Sequence, residues 1–214
     1  MKEQYELSTD ILFISYFLKK NGWDGASKTS LQRVLYFSAE LSTVFLKENK
    51  WNYSFSNTMF GPYNYEISNV IDELAAKELL ELIERKISVD KVRERYIISE
   101  KGIKVCENVL FGIDNELDKR NWFELLVKIL TVYGEKFLAK LVKEDPNVIY
   151  LDSINSRKKI PNGNSEDNLS KEFYLFLKKT GKEKFSIDND SNEEFLLLFF
   201  DALYQKYKGG SKIG

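Results

Sequence analysis

The chain has 214 residues, of which 43% are hydrophobic and 30% are charged, and this length suits one large domain or one domain with an appendage. The composition excludes a mostly disordered chain, whose few apolar side chains would not build a core. The 32 basic and 33 acidic residues leave a net charge of −1, which disfavours DNA as the main ligand.

Two residue counts limit the chemistry further. The absence of histidine removes histidine-based catalytic triads, imidazole general bases and histidine-containing zinc sites. Cys106 is the single cysteine, which excludes a disulfide framework within the chain and paired-cysteine motifs. The glycine-rich phosphate-loop motifs are absent as well. We therefore expect a protein that is not an enzyme and that binds neither a metal nor a cofactor.

The first third of the chain predicts three helices and one extended segment. Apolar residues at a spacing of three to four predict helices over residues 7–20 and 28–48. Aromatic and polar residues alternate over residues 51–55, which predicts a strand or an extended segment. Pro62 predicts the start of a third helix that runs to about residue 77. Its buried face contains Ile67, Val70, Ile71 and Leu74.

A predicted hairpin follows the third helix. Residues 79–87 and 94–98 are predicted strands, with a tip at residues 88–93. Ser99 is a suitable N-cap for a fourth helix, since its hydroxyl can accept a hydrogen bond from the first turn. A helix, a two-stranded wing and a further helix follow one another in the order of a winged helix, although a plain hairpin between two helices has the same order.

The remaining chain is predicted to be helical, with one polar interruption. Residues 121–143 have a helical pattern that Gly134 kinks or divides. Two more helices are predicted at about 168–180 and 192–208, and the second has a strongly apolar face that indicates a core helix.

These elements define the predicted fold class, which is mainly α. We expect a helical domain at residues 1–150 with a winged-helix-like core and a small β-hairpin wing. A polar linker at 151–167 and a C-terminal helical extension at 168–214 follow it. Neither a signal peptide nor an apolar run of spanning length is recognisable, so we expect a cytoplasmic protein without membrane contact.

Few residues suggest catalysis. Glu84 and Lys86, with Asp72 upstream, have the residue types of a carboxylate–metal nuclease, but a solvated strand face explains the same pattern. Cys106 falls in the apolar phase of the fourth helix, which predicts a buried structural thiol.

The predicted wing is basic, whereas the predicted recognition helix is acidic. Residues 85–104 contain seven basic and three acidic side chains, so a nucleic-acid backbone or an acidic protein would suit this surface. The candidate nucleic-acid contacts are Lys91, Arg93 and Arg95. Residues 63–77 carry a net charge of −2, and this helix would repel phosphates.

Three segments together resemble the SocA/Panacea-like antitoxin domains and the related YwgA-like proteins of bacteria and archaea. They are the helix Leu31-Gln32-Arg33-Val34-Leu35-Tyr36-Phe37, the motif Phe60-Gly61-Pro62-Tyr63, and residues 132–146, which end in Asp-Pro. The resemblance covers about residues 5–150. The chain departs from the family pattern in having arginine at position 33, where lysine is usual, and in its acidic third helix.

The resemblance implies a helical domain with a winged-helix-like core that acts by holding another protein. The expected function is a non-enzymatic interaction module, an antitoxin or an accessory subunit in a toxin–antitoxin or anti-phage defence system. The expected partner is a toxin or a subunit of a defence complex. A winged-helix DNA-binding transcriptional regulator is the alternative, and a homodimer is left open.

The candidate partner contacts lie in and around the two motifs. Tyrosine and tryptophan are favoured at protein interfaces, although core packing uses the same side chains. Gln32 and Arg33 face away from Leu31 and Leu35, so they can reach polar groups of the fold or of a partner. The full set is Gln32, Arg33, Trp51, Tyr53, Phe60, Tyr63 and Tyr65.

Overall fold

The computed structural model describes residues 2–46, 51–88, 91–154, 159–161, 163, 165–185 and 192–210. This part of the chain is mainly helical, as predicted, and contains two small antiparallel sheets, one of three strands and one of two. The helices are α1 (Lys2–Lys20), α2 (Lys28–Glu40), α3 (Ser42–Phe45), α4 (Tyr65–Ala76), α5 (Glu100–Asn108), α6 (Leu117–Tyr133), α7 (Glu135–Lys143), α8 (Pro146–Ser153), α9 (Leu169–Phe185) and α10 (Asn192–Gly210). The strands are β1 (Ala26–Ser27), β2 (Ser56–Thr58), β3 (Gly61–Tyr63), β4 (Leu80–Ser88) and β5 (Lys91–Ile98).

The predicted winged-helix core is present. Strands β4 and β5 form the wing, and the short β1 pairs with β5 on its other side, so the strand order is β1-β5-β4. Helices α1, α2 and α4 pack on one another beside this sheet. Ser99 caps α5 as predicted, since its hydroxyl accepts a hydrogen bond from the Gly102 amide at 3.0 Å.

Helix α4 begins three residues later than the position of Pro62 predicted. Pro62 belongs to β3, and the Asn64 side chain accepts a hydrogen bond from the Glu66 amide at 2.8 Å, which caps the helix. The predicted apolar face is confirmed, because Ile67, Val70, Ile71 and Leu74 are all buried.

The predicted helix over 28–48 is interrupted at Leu41, between α2 and α3. Residues from a later segment of the chain donate hydrogen bonds to the backbone carbonyl groups at this break. The Gly163 amide donates to the Ala39 carbonyl at 3.1 Å, and the Asn168 side-chain amide donates to the Glu40 carbonyl at 2.9 Å. The interruption therefore depends on residues more than 120 positions away.

The described residues between 160 and 168 lie close to the break and to the segment before β2. The Ile160 amide donates to the Phe55 carbonyl at 2.8 Å, and the Ile160 side chain is buried. A Cβ atom at Gly163 would lie 2.5 Å from the Ser42 hydroxyl and 2.8 Å from the Ala39 carbonyl oxygen, so this position accepts only glycine without a shift. We name residues 160–161, 163 and 165–168 the strap.

The C-terminal helices complete one continuous core. Gly134, at a φ of 76°, separates α6 from α7, as its sequence position predicted. The α10 residues Phe199 and Phe200 are fully buried, and the Phe200 ring lies 5.0 Å from that of Phe37 in α2. Cys106 is buried, as predicted, and burial raises the pKa of its thiol to about 12.

None of the described helices combines the length and the apolar character that crossing a membrane requires.

Candidate partner-binding surface

The segment that precedes β2 alternates as predicted, but its aromatic side chains point inward. Trp51 and Tyr53 are 5% and 2% exposed, which corrects the prediction that they contact a partner. The Trp51 ring packs edge-on against Phe123, and the Tyr53 hydroxyl donates to Asp10 at 2.9 Å. The alternation showed two faces of the segment and did not show which face the helices cover.

Gln32 is also a structural residue. Its side chain is 2% exposed, its carbonyl accepts a hydrogen bond from the Asn64 amide at 2.7 Å, and its amide donates to the Ser68 hydroxyl at 3.2 Å. Gln32 thus joins α2 to the start of α4, which corrects its assignment as a partner contact. Arg33 is half-buried near the charge of Glu135, and burial lowers the pKa of its guanidinium.

Strands β2 and β3 form a hairpin whose turn consists of Met59 and Phe60. Thr58 pairs with Gly61 across the turn, and the Thr58 hydroxyl donates to the Gly61 carbonyl at 2.7 Å. Gly61 has a φ of 100°, a conformation that glycine adopts without strain. The turn is therefore fixed by hydrogen bonds and by glycine, and it presents two large side chains to solvent.

Four side chains around this turn form an exposed, largely aromatic surface, which we name the turn surface. The exposed fractions are 80% for Met59, 71% for Phe60, 41% for Tyr63 and 65% for Tyr65. Phe60, Tyr63 and Tyr65 were predicted as contacts from the sequence. Met59 was missed, and its position beside Phe60 in a two-residue turn is the pattern that would have indicated it.

A hydrogen-bonded frame holds the turn surface in place. The Asn64 side chain caps α4 and donates to the Ser54 carbonyl at 2.8 Å, while its backbone amide donates to Gln32. On the other side of the hairpin, the Asn57 side-chain amide donates to Asp152 of α8 at 2.8 Å. The exposed aromatic residues are thus mounted on polar contacts, most of them partly buried, that involve α2, α4 and α8.

The wing has fewer unpaired cations for a phosphate backbone than its sequence predicted. Arg95 forms an ion pair with Glu135 at 2.6 Å and donates to the Gly25 carbonyl at 2.8 Å. Although burial opposes it, hydrogen bonds from Ser30, Ser27 and Arg95 hold the pKa of the Glu135 carboxyl below its ordinary value. Arg95 is therefore a structural residue at the base of the wing, which corrects its assignment as a phosphate contact.

The other two predicted wing contacts have different surroundings. Arg93 is exposed and lies opposite Lys86 across the hairpin. The Lys91 side chain lies outside the described residues.

The predicted nuclease residues form ion pairs with lysines. Glu84 pairs with Lys86 at 2.5 Å, and Asp72 pairs with Lys28 at 2.6 Å. No group of three or more histidine, cysteine, aspartate or glutamate side chains that could hold a metal ion occurs among the described residues.

A buried cluster around Lys119 was not predicted, and we name it the lysine cluster. The Lys119 ammonium lies 2.8 Å from Asp10, 2.9 Å from Glu6 and 4.2 Å from the centre of the Trp51 ring. Burial raises the pKa of Asp10 to about 7, although Lys119 opposes this shift. Burial works to lower the pKa of Lys119, but the charges of Asp10 and Glu6 outweigh it and raise that pKa.

A second buried group, which we name the carboxyl cluster, joins α2 to α8 and α9. Its members are Tyr36, Glu40, Asp145, Asn147, Asn168 and Ser170, and each is at most 2% exposed. The Ser170 hydroxyl donates to Asp145 at 2.7 Å, and the Asn147 side-chain amide donates to Glu40 at 2.5 Å. Burial is the main cause that raises the pKa of both carboxyls, and the charge of Asp145 raises that of Glu40 further.

Comparisons with known proteins add no relative. No protein-family model matches the chain, and no curated protein sequence matches it.

Proposed function

We propose that this protein is a non-enzymatic interaction module that holds a partner protein through the turn surface. In keeping with the motif resemblance, the proposed role is that of an antitoxin or accessory subunit in a toxin–antitoxin or anti-phage defence system, in the cytoplasm. The observation that carries the proposal is the exposure of Met59 and Phe60 on a rigid turn.

The turn surface has the chemistry of an interaction hot spot. Aromatic side chains and methionine are enriched at protein interfaces, and a few such anchors supply most of the binding energy. Burial of apolar area contributes roughly 25 cal/mol per Å², so covering two large side chains is strongly favourable. The frame around Asn64 keeps the surface ordered before binding, which reduces the entropy that a partner must overcome.

The charges of the winged-helix core favour a protein partner over DNA. Asp72 and Glu73 lie on α4, the helix that a winged-helix protein would place in the major groove, and Lys77 pairs with Glu73 at 3.7 Å. Three wing cations are already in ion pairs, Arg95 with Glu135, Arg85 with Glu94 at 3.4 Å and Lys86 with Glu84. Arg93 is exposed. A binding mode based on counterion release needs several such cations.

The test is a double substitution in the turn, Met59→Ser with Phe60→Ser. Tagged wild-type and variant proteins are purified from the native host, and the partner is the protein recovered in stoichiometric amount with wild type. We expect the variant to bind that partner at least 100-fold more weakly in a titration, because both anchors are lost. Both side chains are exposed, so the free energy of unfolding should change by less than about 0.5 kcal/mol.

The matched control is Val132→Ser, which removes a 70% exposed apolar side chain on α6. It should leave partner affinity unchanged. Full binding by the double variant, or nucleic acid recovered in place of a protein, would contradict the proposal. In the second case Arg93→Ala should weaken binding, and the DNA-binding alternative would gain support.

A further inference from the structure

The hydroxyl of Tyr36 makes two short contacts that it cannot both donate. Its oxygen lies 2.8 Å from Oε1 of Glu40 and 2.7 Å from Oδ1 of Asp145. A tyrosine hydroxyl carries one proton and so donates one hydrogen bond. The other contact is a hydrogen bond only if one carboxyl is protonated and donates to the Tyr36 oxygen.

The surroundings identify Asp145 as the anion. Its Oδ1 accepts hydrogen bonds from the backbone amides of Asn147 at 3.0 Å and Val148 at 3.3 Å, which caps α8, and its Oδ2 accepts from the Ser170 hydroxyl. Such donors stabilise a carboxylate, particularly at a helix N-terminus. Asp145 therefore uses both of its oxygens as acceptors.

Glu40 is the carboxyl that suits a proton. Its Oε2 is buried and has no hydrogen-bond partner, which is costly for a charged oxygen. Its side chain is 1% exposed, and Oε1 alone receives the Tyr36 and Asn147 contacts. A neutral acid at Glu40 accounts for the Tyr36 contact and avoids two adjacent buried charges.

No cation is available to balance the cluster within the described residues. Helix α2 contributes the titratable groups Tyr36 and Glu40, Asp145 precedes α8, and α8 and α9 add the neutral side chains of Asn147 and Ser170. Neither carboxyl forms an ion pair with a described lysine or arginine. A proton is thus the group that neutralises one of the two acids.

We propose that a single proton on Glu40, shared through Tyr36 with Asp145, fastens α8 and α9 to the end of α2. The same contacts continue outward, since Asn147 accepts from the Leu169 amide at 2.9 Å and Asn168 donates to the Glu40 carbonyl. Removal of the proton places two anions side by side in the core and loosens this attachment. The junction is therefore a pH-sensitive latch that is closed while Glu40 carries its proton and opens when that proton is lost.

The main test compares Glu40→Gln with wild type by urea unfolding between pH 5 and pH 9. Glutamine keeps the shape and neutrality of the protonated acid. A folded-state pKa above the unfolded one gives stability that is complete at low pH and is lost as pH rises. The unfolding constant of wild type relative to Glu40→Gln should therefore rise up to tenfold per pH unit until the proton is lost. An identical pH dependence in the two proteins would overturn the latch.

The control and the second measurement do not depend on how well that variant folds. Glu66→Gln, at an exposed glutamate on α4, should follow wild type across the whole pH range. Infrared spectra of the Asp10→Asn protein, which retains Glu40, should show the carbonyl stretch of a protonated carboxylic acid at pH 6, well above the ordinary glutamate pKa of 4.5. Absence of that band would show that Glu40 is ionised and would also overturn the proposal.

Discussion

The lysine cluster and the carboxyl cluster are similar in burial and opposite in how their charge is balanced. Both bring two carboxyls and a tyrosine hydroxyl into the core, with Asp10 and Asp145 each fully buried. The first contains Lys119 between Asp10 and Glu6. The second has hydrogen-bond donors around its acids and no cation among the described residues.

The two clusters illustrate two ways in which a buried charge can be left unbalanced. A buried ion pair is sensitive to the removal of either partner, because the remaining charge is left in a medium that solvates it poorly. A buried acid held by donors and a proton is sensitive to pH, because ionisation creates the unbalanced charge. Loss of the cation should therefore affect the lysine cluster, and loss of the bridging hydroxyl should affect the carboxyl cluster.

Replacing the buried cation should have the largest effect. Lys119→Met keeps much of the side-chain volume but leaves Asp10 and Glu6 without a counter-charge, so we expect a loss of about 3–5 kcal/mol in the free energy of unfolding. Urea denaturation at pH 7 measures it. Lys128→Met, which removes a surface ion pair with Glu193, should cost less than about 1 kcal/mol. Equal effects of the two substitutions would abolish the distinction.

The buried Asp10 should give the lysine cluster a pH dependence as well. The folded-state pKa of Asp10 is about 7, above its ordinary value of 3.8, so its stabilising contribution is complete below pH 4 and is lost as pH rises to 7. Relative to Asp10→Asn, wild type should lose about 1 kcal/mol per pH unit in this window. Stability curves from pH 4 to pH 9 measure the difference. The loss of stability should level off near pH 7. A wild type that became more stable relative to Asp10→Asn as pH rises would contradict the prediction.

Removal of one hydroxyl should have the smallest effect. Tyr36→Phe deletes the bridge between Glu40 and Asp145 while the amides that cap α8 remain, so we expect a loss of about 2 kcal/mol. Thermal and urea unfolding both report it. The matched variant Tyr16→Phe removes a surface hydroxyl contact with Glu107 and should cost about 0.5 kcal/mol. A cost at Tyr36 no larger than this would show that the bridge adds little.

Much of the fold could be predicted from short sequence patterns. Ser99 was recognised as a cap because a hydroxyl beside the first turn of a helix satisfies a free amide. The buried face of α4 followed from apolar spacing alone. Phe60 could be selected as a candidate contact because it belongs to a short motif with glycine and proline, residues that mark turns.

Contacts between distant residues were beyond such patterns. Nothing near Arg95 in the sequence indicates that Glu135, forty positions later, neutralises it. Glu40 and Asp145 are separated by more than one hundred positions, so neither position alone suggests a buried pair of acids. Trp51 looks like a surface residue until its contacts with Lys119 and Phe123 of α6 are known. Gln32 does so until its contacts with Asn64 and Ser68 are known.

The close fit of the strap restricts how the length of this chain can vary. The sequence from 160 to 168 is polar and contains proline and glycine, so it resembles a place where an insertion or an epitope tag would be harmless. Its amides nevertheless reach fixed carbonyls at Phe55, Ala39 and Glu40. Exposed positions such as Glu166 and Asp167 should accept many replacements. An added or deleted residue between these anchors would shift them out of register with their carbonyls.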